Sequence, residues 1–94
     1  MNFLTLLALA GLSNAQTNYA GWTADVFPTP DGDVTIAFIG HGSLLFVFKG
    51  LLLYLDPWSE AGNFQRAPRA DAILITHDHY DHCDPAAIKL LRKP

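Results

Sequence analysis

The chain has 94 residues, nine Asp and Glu against six Lys and Arg, and a formal charge of −3, with half of its residues hydrophobic. That length holds one small domain, and the few scattered cations exclude a basic groove following a phosphate backbone, so no nucleic-acid partner is expected. A lone cysteine, Cys83, makes no internal disulfide and leaves the redox compartment open. Placed directly after a histidine cluster, it reads either as a neighbour of a bound metal or as an inert thiol.

Residues 3–12 form a short apolar run, followed by Ser13-Asn14-Ala15, small residues of the kind a signal peptidase cleaves after. Residues 1–15 are expected to be a signal peptide, with export to the periplasm or beyond and Gln16 first in the mature chain. The run is about half of the ~20 residues needed to span a bilayer, which disfavours an anchor. Met1-Asn2 carries no cation, so a misplaced start or a buried first element of a cytoplasmic protein is the competing reading. Residues 16–33, rich in Thr, Gly, Pro and Asp, are expected to be an irregular lead-in to a domain over residues 34–94.

Residues 34–39 run Val-Thr-Ile-Ala-Phe-Ile, which predicts a strand ended by Gly40-His41-Gly42. Residues 43–48 and 51–55 are two further apolar runs around Lys49-Gly50 and predict a hairpin. Their near-continuous apolar character suits a sheet covered on both faces. Asp56-Pro57 should stop the last strand, since proline lacks a ladder donor. Residues 59–69 read as a polar loop, residues 72–76 as a short buried strand, and residues 86–93 as a helix with Asp84 at its N-cap and Pro85 at its first position.

Between that strand and helix lies Thr76-His77-Asp78-His79-Tyr80-Asp81-His82, three imidazoles and two carboxylates in seven residues. In an extended segment, side chains two apart point the same way, so His77 and His79 can converge on one ion. Asp81 and His82, where the chain turns toward the helix, can address a second ion, an arrangement that activates water. Imidazole and carboxylate ligands suit Zn²⁺, with Fe and Mn also open, and the lack of a thiolate pattern argues against a structural zinc finger. The alternative is a solvated polar loop whose histidines cap the helix.

These residues resemble the metallo-β-lactamase superfamily, whose signature His-x-His-x-Asp-His is matched at His77, His79, Asp81 and His82. Residues 39–43 (Ile-Gly-His-Gly-Ser) and Leu55-Asp56-Pro57 further resemble the branch of ascorbate-phosphate lactonases and N-acyl-phosphatidylethanolamine phospholipases. The resemblance implies an α/β fold, the first half of a four-layer αββα arrangement. It implies that His77 and His79 bind one metal and Asp81 and His82 another, two zinc ions being expected, with Asp81 beside the nucleophilic water. Asp56 would orient the metal loop through hydrogen bonds, or be no more than an Asp-Pro turn. His41 would lie at the margin of the cleft, or face solvent in its turn.

The family's remaining ligands come from positions further along than Pro94, so the chain is expected to be a fragment of a longer hydrolase and inactive alone. The implied reaction is hydrolysis of an ester, lactone, amide or phosphodiester in a small-molecule substrate, a membrane lipid being an open variant. Two other classes compete. A metal-binding or scaffold protein would keep part of the site without turnover, and a di-iron redox relative would carry iron and work with a flavin partner.

Overall fold

The computed structural model describes residues 15–94. The expected signal peptide lies outside those residues except for Ala15. Six strands follow in chain order: β1 (Ala15–Tyr19), β2 (Trp22–Thr29), β3 (Gly32–Gly40), β4 (Ser43–Phe48), β5 (Leu51–Leu55) and β6 (Ala72–Leu74), and one helix, α1 (Pro85–Leu91), closes the chain. They form a single sheet in sequence order, antiparallel from β1 to β5 and parallel between β5 and β6.

The irregular lead-in expected over residues 16–33 is instead β1, β2 and the start of β3. Its turn residues are confined to two tight corners. Ala20 and Gly21 hold φ of 55° and 94° between the paired Tyr19 and Trp22, the left-handed pair that joins strands without splaying them. Between the corners, Trp22, Ala24 and Val26 alternate with Thr23 and Asp25, the period of a half-buried strand.

One row across the sheet pairs Ala24 with Ala37, Ala37 with Leu45, Leu45 with Tyr54 and Tyr54 with Ile73. This is the covered face. Ala24, Ala37, Leu45 and Tyr54 are fully buried, joined by Phe64 from the loop after β5 and by Ala87 and Leu91 of α1. Rows of the opposite parity, such as Phe38–Leu44–Leu55–Leu74, lie on the other face, where Phe38 is 45% and Leu74 54% exposed. The expectation of cover on both faces is therefore met on one face among the described residues.

Asp84 caps α1 as expected, its carboxylate accepting from the Ala86 amide at 3.0 Å. The helix ends two residues earlier than expected because Arg92 takes an extended conformation and bridges to Ala70, whose amide donates to the Leu91 carbonyl at 2.8 Å. β6 is likewise shorter than its apolar run. After Leu74, whose carbonyl accepts from the Asp56 amide at 2.9 Å, the chain leaves the sheet and delivers the histidines beyond its edge.

Candidate metal centre

The site is assembled at the end of the sheet where β5 and β6, running parallel, both finish, together with the corner between β3 and β4. Asp56 follows the last residue of β5 with φ of 45°, a left-handed backbone that Asp tolerates better than most residues. Ser43, at the start of β4, holds that corner. Its hydroxyl donates to the Asp56 carbonyl at 2.6 Å and accepts from the Trp58 amide at 3.1 Å, so this buried hydroxyl is fully used.

The Asp56 side chain, 3% exposed, faces the histidine loop. Its Oδ1 accepts from the Thr76 amide at 2.7 Å, and its Oδ2 accepts from the Thr76 hydroxyl at 2.6 Å and from His82 Nδ1 at 2.8 Å. Burial alone would raise this carboxyl, but the hydrogen bonds from Thr76 and His82 outweigh it and hold Asp56 below the ordinary carboxylate range. His77 Nδ1 lies 2.8 Å from the Thr76 hydroxyl. Four side chains thus form one connected network with no unpartnered buried polar atom among the described residues.

His82 is shared between two clusters. Ligand atoms of Asp56, His77 and His82 lie within 4.8 Å of one another, and so do those of His41, Asp81 and His82. The His77 and His82 rings lie with centroids 4.1 Å apart, tilted by 38°, and His79 meets His77 edge-on at 4.6 Å. The histidines do not follow the alternation of an extended segment, because β6 ends before Thr76. The amides of His82 and Cys83 both donate to the His79 carbonyl, at 2.9 and 2.7 Å, and this tight turn folds His82 back over His77. His79 belongs to neither cluster.

His41 occupies the corner between β3 and β4 with φ of 54°. Its Nε2 lies 2.7 Å from Asp81 Oδ2, and its ring packs on Trp58 with centroids 5.0 Å apart. The ring is thus hydrogen-bonded to the cluster while its side chain stays 48% exposed. The His41 hydrogen bond is the main reason the Asp81 carboxyl lies below its ordinary range. Gly42 is needed for space, since a Cβ there would stand 2.9 Å from His82 Cε1.

These distances separate atoms at the spacing of shared metal ligands from atoms in direct hydrogen bonds. Two donors on one tetrahedral ion with bonds of about 2.0–2.2 Å stand roughly 3.4 Å apart. His82 Nε2 and Asp81 Oδ2, 3.6 Å apart, fit that spacing, whereas His41 Nε2 at 2.7 Å from the same oxygen is a direct hydrogen bond. The donor set therefore fits a divalent ion: imidazoles whose Nδ1 atoms are engaged and whose Nε2 atoms are left for a metal, beside a carboxylate held by a neighbour. Thr76 and Ser43 were not singled out in the sequence. A hydroxyl residue immediately before the first histidine was the available signal for Thr76; nothing local marks Ser43.

A mixed sheet with a helix on one face and a histidine-carboxylate cluster beyond its strand ends defines a metallo-hydrolase type of fold. Residues 35–92 match the beta-lactamase superfamily domain, and the chain belongs to that family. It is 44% identical over 57 residues to a metal-dependent hydrolase of Herpetosiphon aurantiacus, covering 53% of this chain and 24% of that protein. It is 29% identical over 84 residues to N-acyl-phosphatidylethanolamine-hydrolyzing phospholipase D 1 of Caenorhabditis elegans, covering 71% of this chain and 23% of that one. A solved protein from Parabacteroides distasonis, assigned as a metal-dependent hydrolase, superposes with a TM-score of 0.74 at 44% identity over 77% of this chain and 33% of its own. The expected fold class stands: the chain carries a sheet and its outer helix of the metallo-β-lactamase arrangement. It spans about a quarter of the curated relatives' length.

Proposed function

We propose that this chain supplies the His77, His79, Asp81 and His82 part of a metal-dependent hydrolase acting on an ester, lactone, amide or phosphodiester of a small molecule. The observation that carries the reading is the Asp56–Thr76–His77 and Asp56–His82 network, which leaves the Nε2 atoms of two adjacent imidazoles for a metal. Zinc suits the nitrogen and oxygen donors, with one ion at His77 and His79 and a second at Asp81 and His82. A bound ion of this kind would lower the pKa of a water toward ~7 and polarise the scissile group.

The chain's own residues do the rest. Asp81, anchored by His41, accepts a hydrogen bond from the attacking water and orients it. Asp56 keeps His82 facing inward. Catalytic zinc takes three protein ligands, so a further ligand for the first ion is assigned to the remainder of the enzyme. Export is proposed as well, supported by the apolar run over residues 3–12 and Ser13-Asn14-Ala15; an intact mass beginning at Gln16 is the expected result in protein from its native source.

The site is tested by metal content. His77→Ala and His79→Ala are each expected to lower bound zinc per chain in the full polypeptide. Unchanged stoichiometry in both variants removes the ligand assignment. Full zinc loading without hydrolysis of any of the four bond classes favours a metal-binding protein instead.

A further inference from the structure

We infer that Thr76 is a positioning residue that sets the tautomer of His77 and ties it to His82 through a single carboxylate oxygen. The inference rests on the reading of His77 and His82 as metal-facing residues, but its core concerns a hydrogen-bond relay already present in the chain.

An ionised carboxylate only accepts hydrogen bonds, and a hydroxyl has one proton to give. Thr76 Oγ1 lies 2.6 Å from Asp56 Oδ2, so its proton is directed there. Only a lone pair then remains for His77 Nδ1 at 2.8 Å, which must carry a hydrogen and donate it. In the neutral ring that puts the hydrogen of His77 on Nδ1 and leaves Nε2 as the lone-pair nitrogen. The same Asp56 oxygen accepts from His82 Nδ1 at 2.8 Å and imposes the same tautomer there. The Thr76 amide, donating to Asp56 Oδ1 at 2.7 Å, stops the carboxylate from rotating away. Thr76 thereby holds both oxygens of Asp56 and one nitrogen of His77.

Nothing of this needs the methyl group. Valine has the shape of threonine and no hydroxyl, while serine keeps the hydroxyl. In Thr76→Val, His77 loses its acceptor and is free to take either tautomer; in Thr76→Ser the relay is retained.

The experiment is nitrogen-15 NMR of the histidine rings in the full polypeptide stripped of metal, followed by zinc titration. The expected result is a single Nδ1–H tautomer for His77 in the wild type and in Thr76→Ser, and a mixture in Thr76→Val, with His82 unchanged throughout. Zinc affinity should fall about 10–100-fold in Thr76→Val, the usual effect of losing a hydrogen bond that orients a ligand, and recover in Thr76→Ser. An unaltered His77 tautomer in Thr76→Val overturns the inference. A tautomer shift in Thr76→Val, found while the wild-type chain binds no zinc, would keep the relay and remove the metal assignment, so the two failures are distinguishable.

Discussion

His82 and Asp56 stand 26 residues apart in the chain, yet the Nδ1 of one lies 2.8 Å from the Oδ2 of the other. The contact fixes the edge of the imidazole that faces Asp56 and so determines which nitrogen is left for a ligand. Asp56→Asn replaces an acceptor of several hydrogen bonds by a group with a single acceptor oxygen, leaving Thr76 and His82 in competition. Zinc affinity is expected to fall about 10–100-fold, measured by competition with a chromogenic chelator. Wild-type affinity would mean that His82 needs no such guide.

Gly42 gives a steric test of the same ring. Alanine there places a Cβ 2.9 Å from His82 Cε1 and 3.3 Å from Nδ1, closer than such contacts allow, so the ring must shift by a few tenths of an ångström. Weaker zinc retention is expected in Gly42→Ala with an unchanged far-ultraviolet circular dichroism spectrum. Equal retention would show slack between the corner and the ring.

Tyr54 tests the core away from the metal residues. Its ring is fully buried, and its hydroxyl donates to the Pro68 carbonyl at 2.7 Å, tying the loop over the sheet. Burial, reinforced by Tyr19, pushes its phenol well above the usual value, so it stays a neutral donor at any working pH. Tyr54→Phe removes one hydrogen bond and should cost about 1 kcal/mol in urea unfolding. Leu45→Ala, at a fully buried position of the same row, should cost about 2–5 kcal/mol.

The acid limb of stability has a local probe in Asp71. Its side chain takes a hydrogen bond from Lys93 and accepts from the Leu52 amide at 2.8 Å, and the first of these is the main cause of its lowered pKa. A depressed carboxyl stabilises the fold above its unfolded value of about 3.9 and loses that contribution as pH falls through the folded value. Asp71→Asn should therefore reduce the gain in melting temperature between about pH 3 and pH 6. Its salt-bridge part should shrink at high salt, because the pair is exposed. An unchanged pH profile would assign the acid limb to other carboxylates.

Much of the fold was legible along the chain. Four of the strands, β3 to β6, the Lys49-Gly50 turn and the Asp84-Pro85 helix start follow from apolar runs and turn chemistry, because those signals act between near neighbours. The strands over residues 16–33 are hidden in the sequence because Pro, Gly and Thr residues surround the Trp22–Ala24–Val26 alternation. A strand that is polar on one side is stabilised by its partners on both flanks, and β2 has β1 and β3.

The sequence by itself determined the donor set: His77, His79, Asp81 and His82 are packed into one short segment, and their types alone suit a divalent ion. The tertiary structure decided how they group. β6 ends before the first histidine, and the turn on the His79 carbonyl brings His82 over His77. Asp56 arrives from just after β5, Ser43 from the start of β4 and His41 from the corner before it. Residue type is a local property, whereas the orientation of a ring depends on hydrogen bonds from residues distant in sequence, which only the assembled sheet brings within reach.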